Sequence, residues 1–262
     1  MVGRGVIWKV FLRSFFIQPT WCYGKNHGLG FSTAIAPAIS AIYEDEKMRY
    51  DVRMRHKGDF SINPYMSAPV IGAVIRMEEE VMEGKRDPAD IILFKKSLSG
   101  PYSAIGDMFF WGSVRPFASI TGVSAALYFG MLAPILFLLL YNIFHLWMRW
   151  LGLTKGYLLG VDIVGYIKEL ELLKWGKRLR YLTVLILAFV MASFMLRATP
   201  LEPMGLLHGV FPLSTHLMIV PFMLVALSLA SLLRRGVSIP SLVFMITIPM
   251  TVIVLVGALW WF

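Results

Sequence analysis

Cys22 is the only cysteine among 262 residues, so the chain can close no internal disulfide and build no cysteine-rich metal site, and thiol redox chemistry is not expected. Charge is also scarce. Asp, Glu, Lys and Arg make up 16% of the sequence, where an ordinary soluble domain reaches about 25%. No His-Glu-x-x-His or paired-carboxylate motif occurs, and His56, His145, His208 and His216 are not at metal-ligand spacing. Neither a metal nor another cofactor is therefore expected. Met1 to Thr20 has no uninterrupted apolar core after a basic start, because Arg4, Lys9 and Arg13 are scattered through it. A cleavable leader is not expected.

What the chain has in abundance is apolar surface: 57% of its residues are hydrophobic and its mean hydropathy is +0.67. Four segments carry no Asp, Glu, Lys or Arg: Phe117 to Trp147, Tyr181 to Leu196, Pro203 to Leu233 and Gly236 to Phe262. About 20 apolar residues suffice to cross a bilayer, so this reads as an all-α integral membrane protein. The net charge of +9 then reflects basic cytoplasmic flanks, with membrane lipid as the partner and no nucleic acid.

The two halves differ. Residues 1–116 hold 15 Lys/Arg and 12 Asp/Glu, and the remaining 146 hold 10 and 4. The apolar stretches of the first part, Leu29 to Tyr43 and Met66 to Ile75, are too short to cross alone and suit re-entrant or interfacial helices. Val6, Ile7, Val10, Phe11, Phe15 and Phe16 gather on one side of an opening helix. Such a helix lies either in the headgroup layer or on the protein's own core. Glu44 to Asp59 and Glu78 to Asp90 read as charged cytoplasmic connectors, the second ending in the breaker Asp87-Pro88.

The 31 residues from Phe117 to Trp147 would make a helix of roughly 46 Å, longer than a hydrocarbon core of about 30 Å. A hairpin broken around Gly130 to Pro134 is expected, with Arg115 and Arg149 on the same cytoplasmic side. Three crossings follow. Lys174, Lys177, Arg178 and Arg180 mark one inner flank and Arg234-Arg235 another, which leaves the Ala198 to Ser214 loop and the C-terminus outside. The expected division is thus 1–116, amphipathic and re-entrant helices with the substrate-site segments; 117–165, membrane hairpin and connector; and 166–262, transmembrane helices.

Ionisable groups at membrane depth are functional candidates. The densest polar cluster runs from Ser99 to Pro116, where glycines and prolines are expected to break the helix and Asp107 and Arg115, two turns apart, are placed to pair. Glu78-Glu79-Glu80 follows the Met66 segment; a carboxylate turned inward there would accept from sugar hydroxyls, and one turned outward would be solvated. Ser61 and Asn63-Pro64 mark the break before that segment. It either binds a ligand through unwound backbone or starts the helix. Ser61, Asn63, Glu78 and Glu79 are the expected substrate-binding residues, and Asp107, Trp111 and Arg115 the structural or gating ones.

Several landmarks occur in order: Arg13-Ser14 with Gln18 and Trp21, Leu29-Gly30-Phe31 through Pro37-Ala38, Arg55-His56 with Phe60 and Pro64, Met77-Glu78-Glu79, the block Gly106-Asp107-x-x-Phe110-Trp111-Gly112-x-x-Arg115-Pro116, and Lys155-Gly156-Tyr157. With them the chain resembles subunit IID of the mannose/fructose/sorbose family of the bacterial sugar phosphotransferase system. The resemblance implies a multi-pass, non-catalytic subunit of the inner membrane. It would form a hexose channel with a IIC membrane subunit in a higher oligomer, and phosphate would reach the sugar through cytoplasmic IIA and IIB proteins. Cys22-Tyr23-Gly24 after Trp21, and Ser61 where the family usually has an amide, depart from the pattern. A hydroxyl at position 61 replaces a donor-plus-acceptor group. The second reading is accordingly a transport-inactive scaffold or regulatory receptor that keeps the fold; a membrane-embedded enzyme has only Asp107 and the glutamates in its favour.

Overall fold

A computed structural model describes residues 1–198. They are helical, with no strand among the described residues, as expected. The apolar segments beginning at Pro203 and Gly236, the loop up to Ser214 and Arg234-Arg235 lie outside the described residues.

The opening helix, α1 (Arg4–Ser14), buries Ile7, Val10, Phe11 and Ser14 against α2 (Gly28–Ile42) and, further on, α7 (Ala133–Leu159). Of the two placements its apolar stripe allowed, packing on the protein's own core is the one observed. Phe16, expected on that stripe, is exposed, because the chain tightens into a 3-10 turn over Phe15–Ile17. The expected connector after Tyr43 is itself a helix, α3 (Glu46–His56), capped by Asp45, whose carboxylate accepts from the Met48 N–H at 2.8 Å.

Helix α4 (Ser67–Met82) is the centre of the unit and packs chiefly on α7 (Ala133–Leu159). The two backbones meet through small residues. A Cβ added at Gly72 would strike the Leu153 carbonyl, and one at Gly156 would strike the Pro69 carbonyl. Backbones come this close only where side chains are minimal, as in the small-xxx-small pattern of membrane helices. Asp87-Pro88, expected as a breaker, stands between α4 and α5 (Pro88–Gly106) and starts the latter: Asp87 is the N-cap, accepting from the Ala89 N–H at 2.7 Å, and Pro88 needs no N–H in the first turn.

Beyond α5 the expected break at the glycines does not occur. The helix runs on through a π-helical stretch, Asp107–Val114, into α6 (Arg115–Phe129). A wider coil absorbs the weak helix formers Gly106 and Gly112 without a turn. The hairpin does turn where Gly130 and Pro134 placed it: Gly130 takes φ +51°, a conformation that favours glycine, and α7 begins at Ala133. Helix α7 continues to Leu159, past Trp147 where its end was expected. Arg149 does not stop it, because the guanidinium is buried and bonded to carbonyls of this chain. A short α8 (Ile163–Glu169) and α9 (Leu172–Ala198) complete the described part. Among the described residues, the run Gly130–Leu187 contains a segment long and apolar enough to cross a membrane, with little of it buried in the chain.

Candidate functional site

The segment between α3 and α4 is tied by hydrogen bonds to residues of α2's start and of the α5 run. His27 fixes its start: the His27 N–H donates to the Phe60 carbonyl at 3.0 Å, and its Nδ1 accepts from the Ile62 N–H at 3.4 Å. Asn63 then serves two directions at once. Its Oδ1 accepts from the Tyr65 N–H at 3.0 Å, shaping the turn into α4, and its Nδ2 donates to Asp107 Oδ1 at 2.8 Å. Gly106 makes room for this, since a Cβ there would collide with the Asn63 side chain. Ser61, two residues before Asn63, is exposed, and its carbonyl accepts from Ser99 Oγ on α5. The break before α4 is therefore cross-linked to the Ser99–Pro116 cluster, two features far apart in sequence.

Asp107 does not pair with Arg115 as expected. Its partner is Asn63, while the exposed Arg115 guanidinium sits 5.4 Å from the ring centre of the half-exposed Trp111. The π-helical widening changes the angular step between positions 107 and 115, so the i,i+8 spacing of an α-helix no longer applies.

The two glutamates point to different places. Glu78 is fully buried and saturated: it accepts from both Arg55 Nη2 (2.7 Å) and Tyr43 Oη (2.8 Å), and from His56 Nε2 at 2.6 Å. Burial raises its pKa, but the His56 hydrogen bond, with the charge of Arg55 and the Tyr43 hydroxyl, outweighs that and holds the carboxyl below its usual range. His56 is pushed down to about 4, chiefly by burial, with Lys95 and Arg55 adding to the effect. Its ring is thus neutral and donates through Nε2 to the carboxylate. Glu79 lies on another face of α4 and accepts from the Val2 N–H (2.6 Å), Tyr157 Oη (2.8 Å) and Arg76 (3.1 Å). Asn63 and Asp107 come together; Glu78 and Glu79 each sit in a separate cluster with donors from this chain.

Sequence reasoning overlooked two buried cations. Arg149, read as a flank marker, donates to the Ser14 carbonyl, to Ser14 Oγ (3.0 Å) and to the Pro64 carbonyl (3.5 Å), and stacks 4.6 Å from the Phe15 ring. It ties α1 and the 61–66 segment to α7. Lys95 lies between the rings of Phe31 and Phe60, at 4.2 and 4.9 Å. The one available signal for Arg149 was its isolation between long apolar runs.

Among the described residues, a helical body with a long, lipid-suited run and a polar segment cross-linked to a widened helix has the character of a membrane protein. The chain belongs to a family: residues 2–259 match EIID-AGA, the PTS system mannose/fructose/sorbose family IID component. It is 35% identical over 168 residues to the PTS system mannose-specific EIID component of Escherichia coli (strain K12), covering 62% of this chain and 59% of that protein. It is 33% identical over 159 residues to the fructose permease IID component of Bacillus subtilis (strain 168), covering 60% and 58%. The chain thus spans less than two thirds of the curated relatives it matches. Among solved structures, it is similar to a membrane protein at 30% identity and TM-score 0.72, covering 98% of this chain and 96% of that one. It is also similar to a chain of the mannose transporter ManYZ in complex with microcin E492, at 29% identity and TM-score 0.59, covering 98% and 97%.

Proposed function

We propose that the chain is the IID half of a phosphotransferase-system sugar permease. It forms, with a IIC membrane subunit in a higher oligomer, the path by which a hexose enters, and phosphoryl transfer is left to cytoplasmic IIA and IIB partners. The observation that carries this is the similarity over nearly the whole chain to a structure of a mannose transporter. In this proposal the chain is non-catalytic, crosses the bacterial inner membrane several times and ends outside. Residues 1–116 bear the substrate segments, 117–165 form the hairpin and connector, and 166–262 the transmembrane helices.

Ser61 and Asn63 face the sugar from the break before α4, and Asp107 holds Asn63 in place, with Trp111 and Arg115 on the same widened helix as the gating face. Glu78 and Glu79 are the carboxylates that accept from sugar hydroxyls, in exchange for the donors of this chain that occupy them here. The occupancy of both by donors of this chain favours, as a second reading, a transport-inactive scaffold or receptor. Uptake of radiolabelled hexose separates the two, in cells whose sole hexose route is this chain with its neighbouring IIC-type subunit. Transport is expected, with at least a tenfold loss in Asn63→Ala and Glu79→Gln at unchanged complex yield. Wild-type uptake by Glu79→Gln would remove Glu79 from the site, and no uptake by an assembled wild-type complex would favour the scaffold.

A further inference from the structure

A cleft of about 570 Å³ opens between the end of α3 and the first half of α5, lined by Arg55, Asp59, Ser61, Lys95, Lys96 and Ser99. That size suits a small ligand. Its charges are unevenly satisfied. Asp59 accepts from Asn26 Nδ2 at 2.7 Å, and Glu78, behind the cleft, is taken by Arg55, His56 and Tyr43. Lys95 is buried, and its only oxygen acceptor among the described residues is the His56 carbonyl at 3.3 Å. No carboxylate lies within ion-pair distance of it among the described residues. Arg55 Nε is likewise buried without a hydrogen-bond partner.

One carbonyl and the faces of Phe31 and Phe60, at 4.2 and 4.9 Å, hold this buried ammonium, but among the described residues no counter-charge lies within ion-pair distance, and a buried cation without one is costly. Burial, only partly opposed by Glu78, brings the Lys95 amine down to about 7, so an arriving dianion would restore its charge. Phosphate alone would fill a small part of the space. The remainder is bordered by hydroxyls and a carboxylate, at Ser61, Ser99 and Asp59, the side-chain types that meet a polyol. We propose that this cleft binds a phosphorylated hexose, with the phosphate against Lys95, Lys96 and Arg55 and the sugar hydroxyls toward Ser61 and Asp59. This deepens the transport reading and rests on it: the chain holds the product of phosphorylation as well as a path for the sugar.

Titration calorimetry tests it on the full chain co-purified with its membrane partner, using mannose 6-phosphate, inorganic phosphate and unphosphorylated mannose as separate probes. The hexose phosphate is expected to bind at least tenfold more tightly than inorganic phosphate. Lys95→Met should weaken it tenfold or more and leave mannose binding unchanged. Lys96→Glu, at the exposed rim and harmless to folding, should weaken it several-fold, which keeps the test decisive if Lys95→Met does not assemble. Equal binding of hexose phosphate by wild type and Lys96→Glu overturns the proposal, as does inorganic phosphate binding as tightly as the sugar phosphate. Intact uptake with no hexose phosphate binding removes the cleft alone. Binding without uptake supports the cleft and removes the transport reading.

Discussion

At the scale of single residues, the chain is held by buried charges whose partners come from distant positions. His56 shows how this couples stability to pH. Its folded pKa is depressed to about 4 from an ordinary 6.5, mainly by burial, and Glu78 beside it is also held low. For both groups the unfolded chain binds more protons than the folded one, so stability falls with acidification. The loss from His56 begins near pH 6.5 and runs to about 4, and that from Glu78 follows below 4.5. Melting of the purified complex should therefore drop between pH 7 and 5, with a few kcal/mol at stake. His56→Gln keeps a donor but removes the titration and should flatten that interval; an unchanged slope in the variant would place the acid sensitivity elsewhere. None of this pairing was legible in the sequence. Tyr43, Arg55 and His56 lie 35, 23 and 22 residues from Glu78, and no periodic pattern relates them. A run of three acids leaves open which of them turn inward until the fold shows Glu78 and Glu79 buried.

Elements were more legible than their contacts, because glycine and proline punctuate the chain locally. The turn at Gly130 could be read since one long helix was too long for the bilayer, and the α4 start since Asn63-Pro64 interrupts the apolar run. The π-helical stretch was not readable, because the same glycines permit either a break or a widening and packing decides between them. The α4 and α7 interface was equally hidden. Gly152 and Gly156 sit one turn apart on α7 and Pro69, Gly72 and Ala73 face them, but small residues announce no partner. A side chain at Gly156 would run into the Pro69 carbonyl and lie 3.0 Å from the Ala73 nitrogen, and backbone cannot give way as a flexible side chain can. Gly156→Val should therefore cost about 3 kcal/mol, the upper end of ordinary overpacking, and lower the yield of folded protein. Gly165→Ala on α8, where a Cβ meets nothing within 4 Å, is the control. Equal melting temperatures for the two variants would show that α4 and α7 separate without penalty.

For the whole molecule, charge distribution and apolar exposure argue together. Helix α7 leaves Ile135, Leu138, Leu139, Ile143 and Leu146 exposed, a row that requires lipid or a partner subunit. Lys174, Lys177 and Arg178, exposed at the start of α9, precede a segment without charge from Tyr181 to Leu196. Basic residues within about 15–20 residues of a span stay in the cytoplasm, so α9 is expected to leave the cytoplasm as it ascends. Arg234-Arg235 stands between the last two charge-free segments and is expected inside by the same rule. Three crossings from an inner start are expected to place Phe262 outside. A reporter that is active only outside the cytoplasm, fused after Phe262, should be active, and one that fluoresces only in the cytoplasm should stay dark. Moving the fusion to Arg235 should reverse both signals. Cytoplasmic signal at both positions would mean that Gly236 to Phe262 does not cross; outside signal at both would mean that the basic pair does not anchor its loop.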